Sequence, residues 1–279
     1  MKKIDLKWGL ALAGVAIAAG LTLWFVLSGP RDTEDSDVPS QYSAAIDQAK
    51  RIGRDIFDYD NAGNAAAAFM REAGINADER LRGWVVSRDG DRMLVSFLGA
   101  HEGNGAVLYE IAVRGNTVLK ETYVAHGAPR AATEDQIALI KAVYTSREAT
   151  IDRCAPSYNL VAMTDANTGE RIIYMLPADY PADQAVVGGF VTVRVDAAGE
   201  TVLGVTQSPA KCRTIPISED LVGVGILYEE GETVTPFDVW ASLFYKRPAH
   251  VKSKANGLEW VVYGDQKIGL EKLTEAEKR

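Results

Sequence analysis

The chain has 279 residues and a formal net charge of −8, from 30 Lys and Arg against 38 Asp and Glu. That balance, with no stripe of clustered basic residues, excludes nucleic acid as a partner, because phosphate contact needs Lys and Arg gathered on one face. The length suffices for a substantial core, as one domain or two small ones.

Lys2, Lys3 and Lys7 precede an uncharged run over 8–27, WGLALAGVAIAAGLTLWFVL. A bilayer core about 30 Å thick needs about twenty such residues at about 1.5 Å each. Trp8 and Trp24 sit near the ends of the run, where amphipathic rings favour a membrane interface. Ser28, Gly29 and Pro30 then break the helix. The pattern predicts a basic cytoplasmic N-terminus over 1–7, one transmembrane helix over 8–27, an acidic polar spacer over 28–40, and the rest of the chain across the membrane. A cleaved signal peptide is the alternative, although its apolar region is usually about 7–15 residues. Gly9, Ala13, Ala16 and Gly20 form a stripe of small residues, a possible face for helix association in lipid.

From Gln41 to Phe57 the apolar positions recur at helical spacing, and a second helical piece is expected over about 62–73, ended by Gly74. The period then changes. GWVVSRDGDRMLVSFLG reads as two strands about Asp89-Gly90, a local hairpin signal, and AVLYEIAV as a third strand. Gly115-Asn116 turns into TVLKETYVA, a fourth, so residues 41–130 are expected to hold helices plus an antiparallel meander. Thr133 and Gln136 make a capping box for a helix in which Ile137, Ile140, Val143 and Tyr144 share a face. Beyond it, YNLVAMTDANTGERIIYMLP and VVGGFVTVRVDAAGETVLGVTQS each read as strand, turn, strand. PFDVWASLFY fits a strand or a short helix. HVKS, LEWVVYG and KIGLEKL are short strands with a turn at Asp265. Residues 131–270 are thus a linking helix and a β-rich region, and 271–279 a charged tail. The fold class is α+β.

The two cysteines, Cys154 and Cys212, bracket the four-strand unit. In an oxidising compartment an even count favours a disulfide, and two buried thiols are the alternative. Neither lies in a CxxC motif, so redox catalysis has little support.

Signals for other chemistry are sparse. His101, His126 and His250 are far apart, with no HExxH, so no metal site is expected. Ser157, Ser208 and Ser218 lack a GxSxG elbow. Asp89, Gly90 and Asp91, like Asp165, Asn167 and Thr168, read as turns rather than calcium loops. Gly223-Val224-Gly225 falls short of a nucleotide fingerprint. Asp55, Asp58 and Asp60 form an acid cluster of the kind glycoside cleavage uses, but also read as a solvated helix end. Trp240, Phe244 and Tyr245 are possible interface aromatics, although core packing is the favoured reading.

DIFDYDNAGNAAAAF, RGWVVSRDGDRMLVSFLG, RCAPSYNLVAM, IIYML, VVGGFVTV, SPAKC and HVKSKANGLEWVVYGDQKI occur in an order that resembles a group of uncharacterised, mostly proteobacterial, exported or membrane-tethered proteins. The resemblance spans about residues 45–270. It implies an envelope location and a cysteine on each side of a β unit, as at Cys154 and Cys212. Members often carry GGH where this chain has Gly188-Gly189-Phe190. No activity or catalytic residue comes with the resemblance.

Together these readings give the expectation of a non-catalytic, membrane-anchored envelope protein of the bacterial inner membrane, with a periplasmic C-terminal domain. Its partners would be the lipid bilayer and an envelope component or membrane protein, and no cofactor is expected. The alternatives are a hydrolase of cell-wall glycan or peptide, and an accessory subunit of an inner-membrane complex.

Overall fold

The computed structural model describes residues 38–75, 78–101, 104–181, 183–218 and 221–270. Its first long element is α1 (Ser43–Glu72), one continuous helix of 30 residues. The sequence predicts two separate helical pieces here, over 41–57 and about 62–73, and the structure joins them. The helix continues because its buried stripe does. Ile46, Ala49, Gly53, Ile56, Asp60, Gly63, Ala66 and Met70 are all buried, spaced three or four apart. That spacing is one face of an α-helix. Gly74 follows with φ +69°, the left-handed conformation that ends helices.

The C-terminal half of α1 lies on a five-stranded antiparallel sheet. Its strands are β1 (Leu81–Asp89), β2 (Arg92–His101), β3 (Asn104–Arg114), β4 (Thr117–Val118) and β5 (Val124–Ala131), with β4 and β5 both paired to β3. Ala62, Ala66 and Met70 pack there against Val95, Ile111 and Val113. The β1–β2 hairpin closes as its residues predict, with Asp89 opposite Arg92 and Gly90 at φ +63°. The fourth strand differs from expectation. It stops after two residues, a single 3-10 turn at Lys120–Thr122 follows, and pairing resumes in β5.

Helix α2 (Glu134–Ser146) starts at the expected capping box, with the Gln136 N–H donating to Thr133 Oγ1 at 3.2 Å. Its buried face is rotated from the one expected. Ala138, Leu139, Ala142 and Val143 are buried, whereas Tyr144 is exposed and donates to the Arg82 carbonyl. This face covers a second antiparallel sheet, in the order β10-β9-β7-β6. Its strands are β6 (Ser157–Thr164), β7 (Arg171–Ala178), β9 (Val191–Val195) and β10 (Val202–Gln207).

VVGGFVTV is not one strand. It divides into β8 (Gln184–Val187) and β9, and β8 leaves the sheet to pair with β11 (Arg213–Pro216). Gly188 and Gly189, at φ +75° and +69°, make the change of direction. A Cβ on Gly189 would lie 2.2 Å from Cys154 Sγ. Glycine is therefore required twice over, by conformation and by space. Cys154 and Cys212 form a disulfide, with Cα atoms 5.8 Å apart, joining the chain before β6 to the chain after β10.

The third sheet runs in the order β12 (Val224–Tyr228), β13 (Ala249–Ser253), β14 (Glu259–Tyr263), β15 (Lys267–Leu270). Strands β12 and β13 are parallel, which demands a crossover, and α3 (Pro236–Tyr245) supplies it. Here PFDVWASLFY resolves to helix. Pro236 takes the first turn, and the Asp238 carboxylate accepts from the Thr235 N–H at 2.6 Å and from the Tyr228 hydroxyl. Trp260, Tyr228, Ile226 and Val251 form the core of this unit with Tyr42, Ile46 and Ala49.

One expectation needs correction. Among the described residues, no helix is long and apolar enough to cross a membrane, and α1 carries charged residues along its exposed sides. The run over 8–27, with its stripe Gly9, Ala13, Ala16 and Gly20, lies outside the described residues. The described residues thus give no support to the single-pass inner-membrane topology, to the lipid bilayer as a partner, or to the non-catalytic anchored role built on them.

Candidate functional site

The buried stripe of α1 contains one acid. Asp60 is only 5% exposed. Its Oδ1 accepts from Asn64 Nδ2 at 3.0 Å, one helical turn on, and from Asn159 Nδ2 of β6 at 3.2 Å. Its Oδ2 accepts from the indole N–H of Trp240, on α3, at 3.3 Å. All three partners are neutral. They offer hydrogen bonds to the carboxylate but no opposing charge. Burial therefore dominates and raises the Asp60 carboxyl from 3.8 to about 6.

Asp60, Asn64 and Asn159 line two cavities. The larger is an open cleft of about 580 Å³, walled on one side by Pro177, Asp179 and Tyr180 and on the other by Trp240, Phe244 and Tyr245. The smaller, about 20 Å³, lies towards Tyr59, Trp84 and Leu160. That is room for about one water molecule beside the carboxyl group.

The aromatic wall is built in steps from core to surface. Trp240 is 3% exposed and forms a T-shaped pair with Phe190, which stacks on Phe237 at 4.9 Å. Phe244 stacks on Trp240 at 4.7 Å and is 42% exposed. The Tyr245 hydroxyl accepts from the Val186 N–H at 2.8 Å, and burial pushes its ionisation upward. The three aromatics thus divide between core and cleft. Phe190 is a core residue at 3% exposure.

On the opposite wall, Asp179 adopts φ +63° and accepts from the Ser157 hydroxyl. Asp is among the non-glycine residues that take this left-handed conformation most readily. The Tyr180 hydroxyl donates to the Cys154 carbonyl at 2.7 Å, so the disulfide braces this wall.

Other sequence candidates separate from the cleft. Asp55 and Asp58 both pair with Arg88, at 3.0 and 3.2 Å, on the outer side of α1. Asp55 and Asp58 thus lie on a solvated side of the helix, and of the three acids only Asp60 lines the cleft. Asp89 and Asp91 pair with Arg92 and Arg114. Asp165 accepts from the Asn167 and Thr168 N–H groups as an Asx turn. His101, His126 and His250 stand on β2, β5 and β13. Among the described residues no three His, Cys, Asp or Glu gather into a metal-holding group. A depression of about 630 Å³ beside the disulfide is lined by loops carrying Arg153, Lys211 and Glu229, and no buried titratable group faces it.

Asn64, Asn159, Trp84 and Asp179 carry no sequence motif. The readable signal was the stripe itself: the three-four spacing runs through Asp60, which places a carboxylate on the buried face.

Comparison of the chain with protein-family models, curated proteins and solved structures finds no match.

Proposed function

We propose that this protein is an exported hydrolase of an envelope polymer, with Asp60 as its proton donor. The observation that carries the reading is a buried carboxyl group held by three neutral donors where it lines an open cleft, an environment that raises it to about 6. An acid so placed is still partly protonated near neutral pH, as general-acid catalysis requires. Asp60 would protonate the leaving atom of the scissile bond. Asp179, in the same cleft, would take the proton of the attacking water, so that water is added across the broken bond. The disulfide supports export, because such bonds persist in oxidising compartments. Kinship with the exported proteobacterial proteins belongs to the same proposal and bears on the compartment alone.

The test is turnover of isolated cell-wall material by the purified protein, with released reducing ends and released amines read separately. Wild type should cleave, with activity lost as pH rises through about 6. Asp60→Asn should lower kcat by at least about 100-fold, the usual worth of a general acid. Absence of turnover across substrates and pH, or an unchanged Asp60→Asn rate, overturns the reading.

A further inference from the structure

We infer that the polymer is a glycan chain rather than a peptide, and that it lies across Asp60 between two aromatic platforms, Trp84 and Phe244. This rests on the hydrolase reading for its chemistry, but the recognition stands on separate observations.

The first is the placement of the exposed rings. Trp84 and Phe244 are each 42% exposed, far more than a core aromatic. Trp84, on β1, lies against α1 at Gly63, where an added Cβ would come within 2.9 Å of its indole nitrogen. Gly63 immediately precedes Asn64, so this ring is held next to the polar group around Asp60. Phe244 rests on Trp240, whose N–H holds Asp60. The two cavities containing these rings share Asp60, Asn64 and Asn159. Each exposed ring thus shares a cavity lining with the same polar cluster. A pyranose chain presents complementary surfaces, with flat C–H faces on successive sugars and hydroxyl or acetamido groups at their edges. Aromatic faces take the former, and the side-chain amides of Asn64 and Asn159 suit the latter.

The second observation is charge. Among the described residues lining the two cavities there is no Lys, Arg or His, while two acids, Asp60 and Asp179, are present. A peptide bearing free carboxylates would find no counter-ion and two repelling groups. A neutral chain meets no such cost.

The experiment measures binding without turnover, using Asp60→Asn protein and β-1,4-linked N-acetylglucosamine oligomers from dimer to hexamer, read by calorimetry and tryptophan fluorescence. Affinity should rise with chain length and then level off once both platforms are covered. Adding Phe244→Ala should weaken the hexamer by about tenfold, the value of one lost aromatic contact. Trp84→Ala should do the same, and Trp84→Phe, which keeps a ring if the alanine variant unfolds, should restore most of the loss. Length-independent binding, or hexamer affinity indifferent to both rings, overturns the inference. Wild-type release of amines from cell wall with no oligomer binding also overturns it, while leaving the hydrolase reading standing. Ring-dependent hexamer binding with no wild-type turnover does the reverse: the glycan site stands and the hydrolase falls.

Discussion

Asp60 is held without a cation, and that choice has a thermodynamic signature. Its carboxyl titrates near 6 in the folded protein against 3.8 as the reference. Between those values the folded state holds a proton that the unfolded chain has released. This group's contribution to stability is therefore fullest below about pH 4 and is lost as pH rises through about 6, by roughly 3 kcal/mol. Groups lowered in the fold act oppositely; Asp265, held down by its hydrogen bond to Arg54, is one. The difference between variants isolates Asp60. Urea unfolding of wild type and Asp60→Asn across that pH range should show the variant gaining relative stability as pH rises. Parallel curves would mean the carboxyl is not shifted. The site was half legible at this scale. Asp60 is legible as an acid near a helix end, but its inward direction follows from periodicity only once α1 runs unbroken through 58–61. Its partners are not legible, since Asn159 and Trp240 are 99 and 180 residues away in the chain.

Helix α1 organises the elements, because its single stripe meets a different surface at each level. Ile46 and Ala49 join the core of the third sheet, Ile56 packs with Val161 and Phe237, and Ala66 and Met70 cover the first sheet. Gly53 sets the approach of α3. A Cβ there would lie 2.5 Å from the Pro236 carbonyl and 2.5 Å from Val239 Cβ. Gly53→Ala gains helix propensity but forces the two helices apart, and overpacking of this kind costs about 1–3 kcal/mol. Net destabilisation should appear as a lower urea midpoint with little change in slope, and a variant as stable as wild type would show that the contact yields freely. Because α3 carries Trp240, the same substitution should loosen the aromatic wall of the cleft. Element types at this scale were largely readable. The hairpin at Gly90 and the cap at Thr133 follow from neighbouring residues alone. The parallel pairing of β12 and β13 did not, because a βαβ crossover shows only once PFDVWASLFY is known to be helical.

Across the whole molecule, the Cys154–Cys212 bond closes a separation of 58 residues around the second sheet. Removing such a closure costs about 4 kcal/mol on the chain-entropy model. Cys154→Ser with Cys212→Ser should lower the thermal midpoint. It should also weaken oligomer binding more than it changes the first sheet, since Tyr180 of the cleft wall is bonded to the Cys154 carbonyl. Hydrogen exchange would separate these effects, and uniform loss of protection would show that the bond serves stability alone. Local patterning in the sequence determined the α+β class, most strands and turns, and the helix ends at Gly74 and Thr133. Two cysteines beside one β unit also made their pairing readable. Only the tertiary structure decided that α1 is unbroken, that Gly188-Gly189 sends β8 away from β9, and that Asp60, Asn159, Asp179 and Trp240 share one cleft. Periodicity reports which way a side chain faces on its own element. Which distant element it meets is set by sheet order, crossovers and close helix approach, and these depend on the whole chain at once.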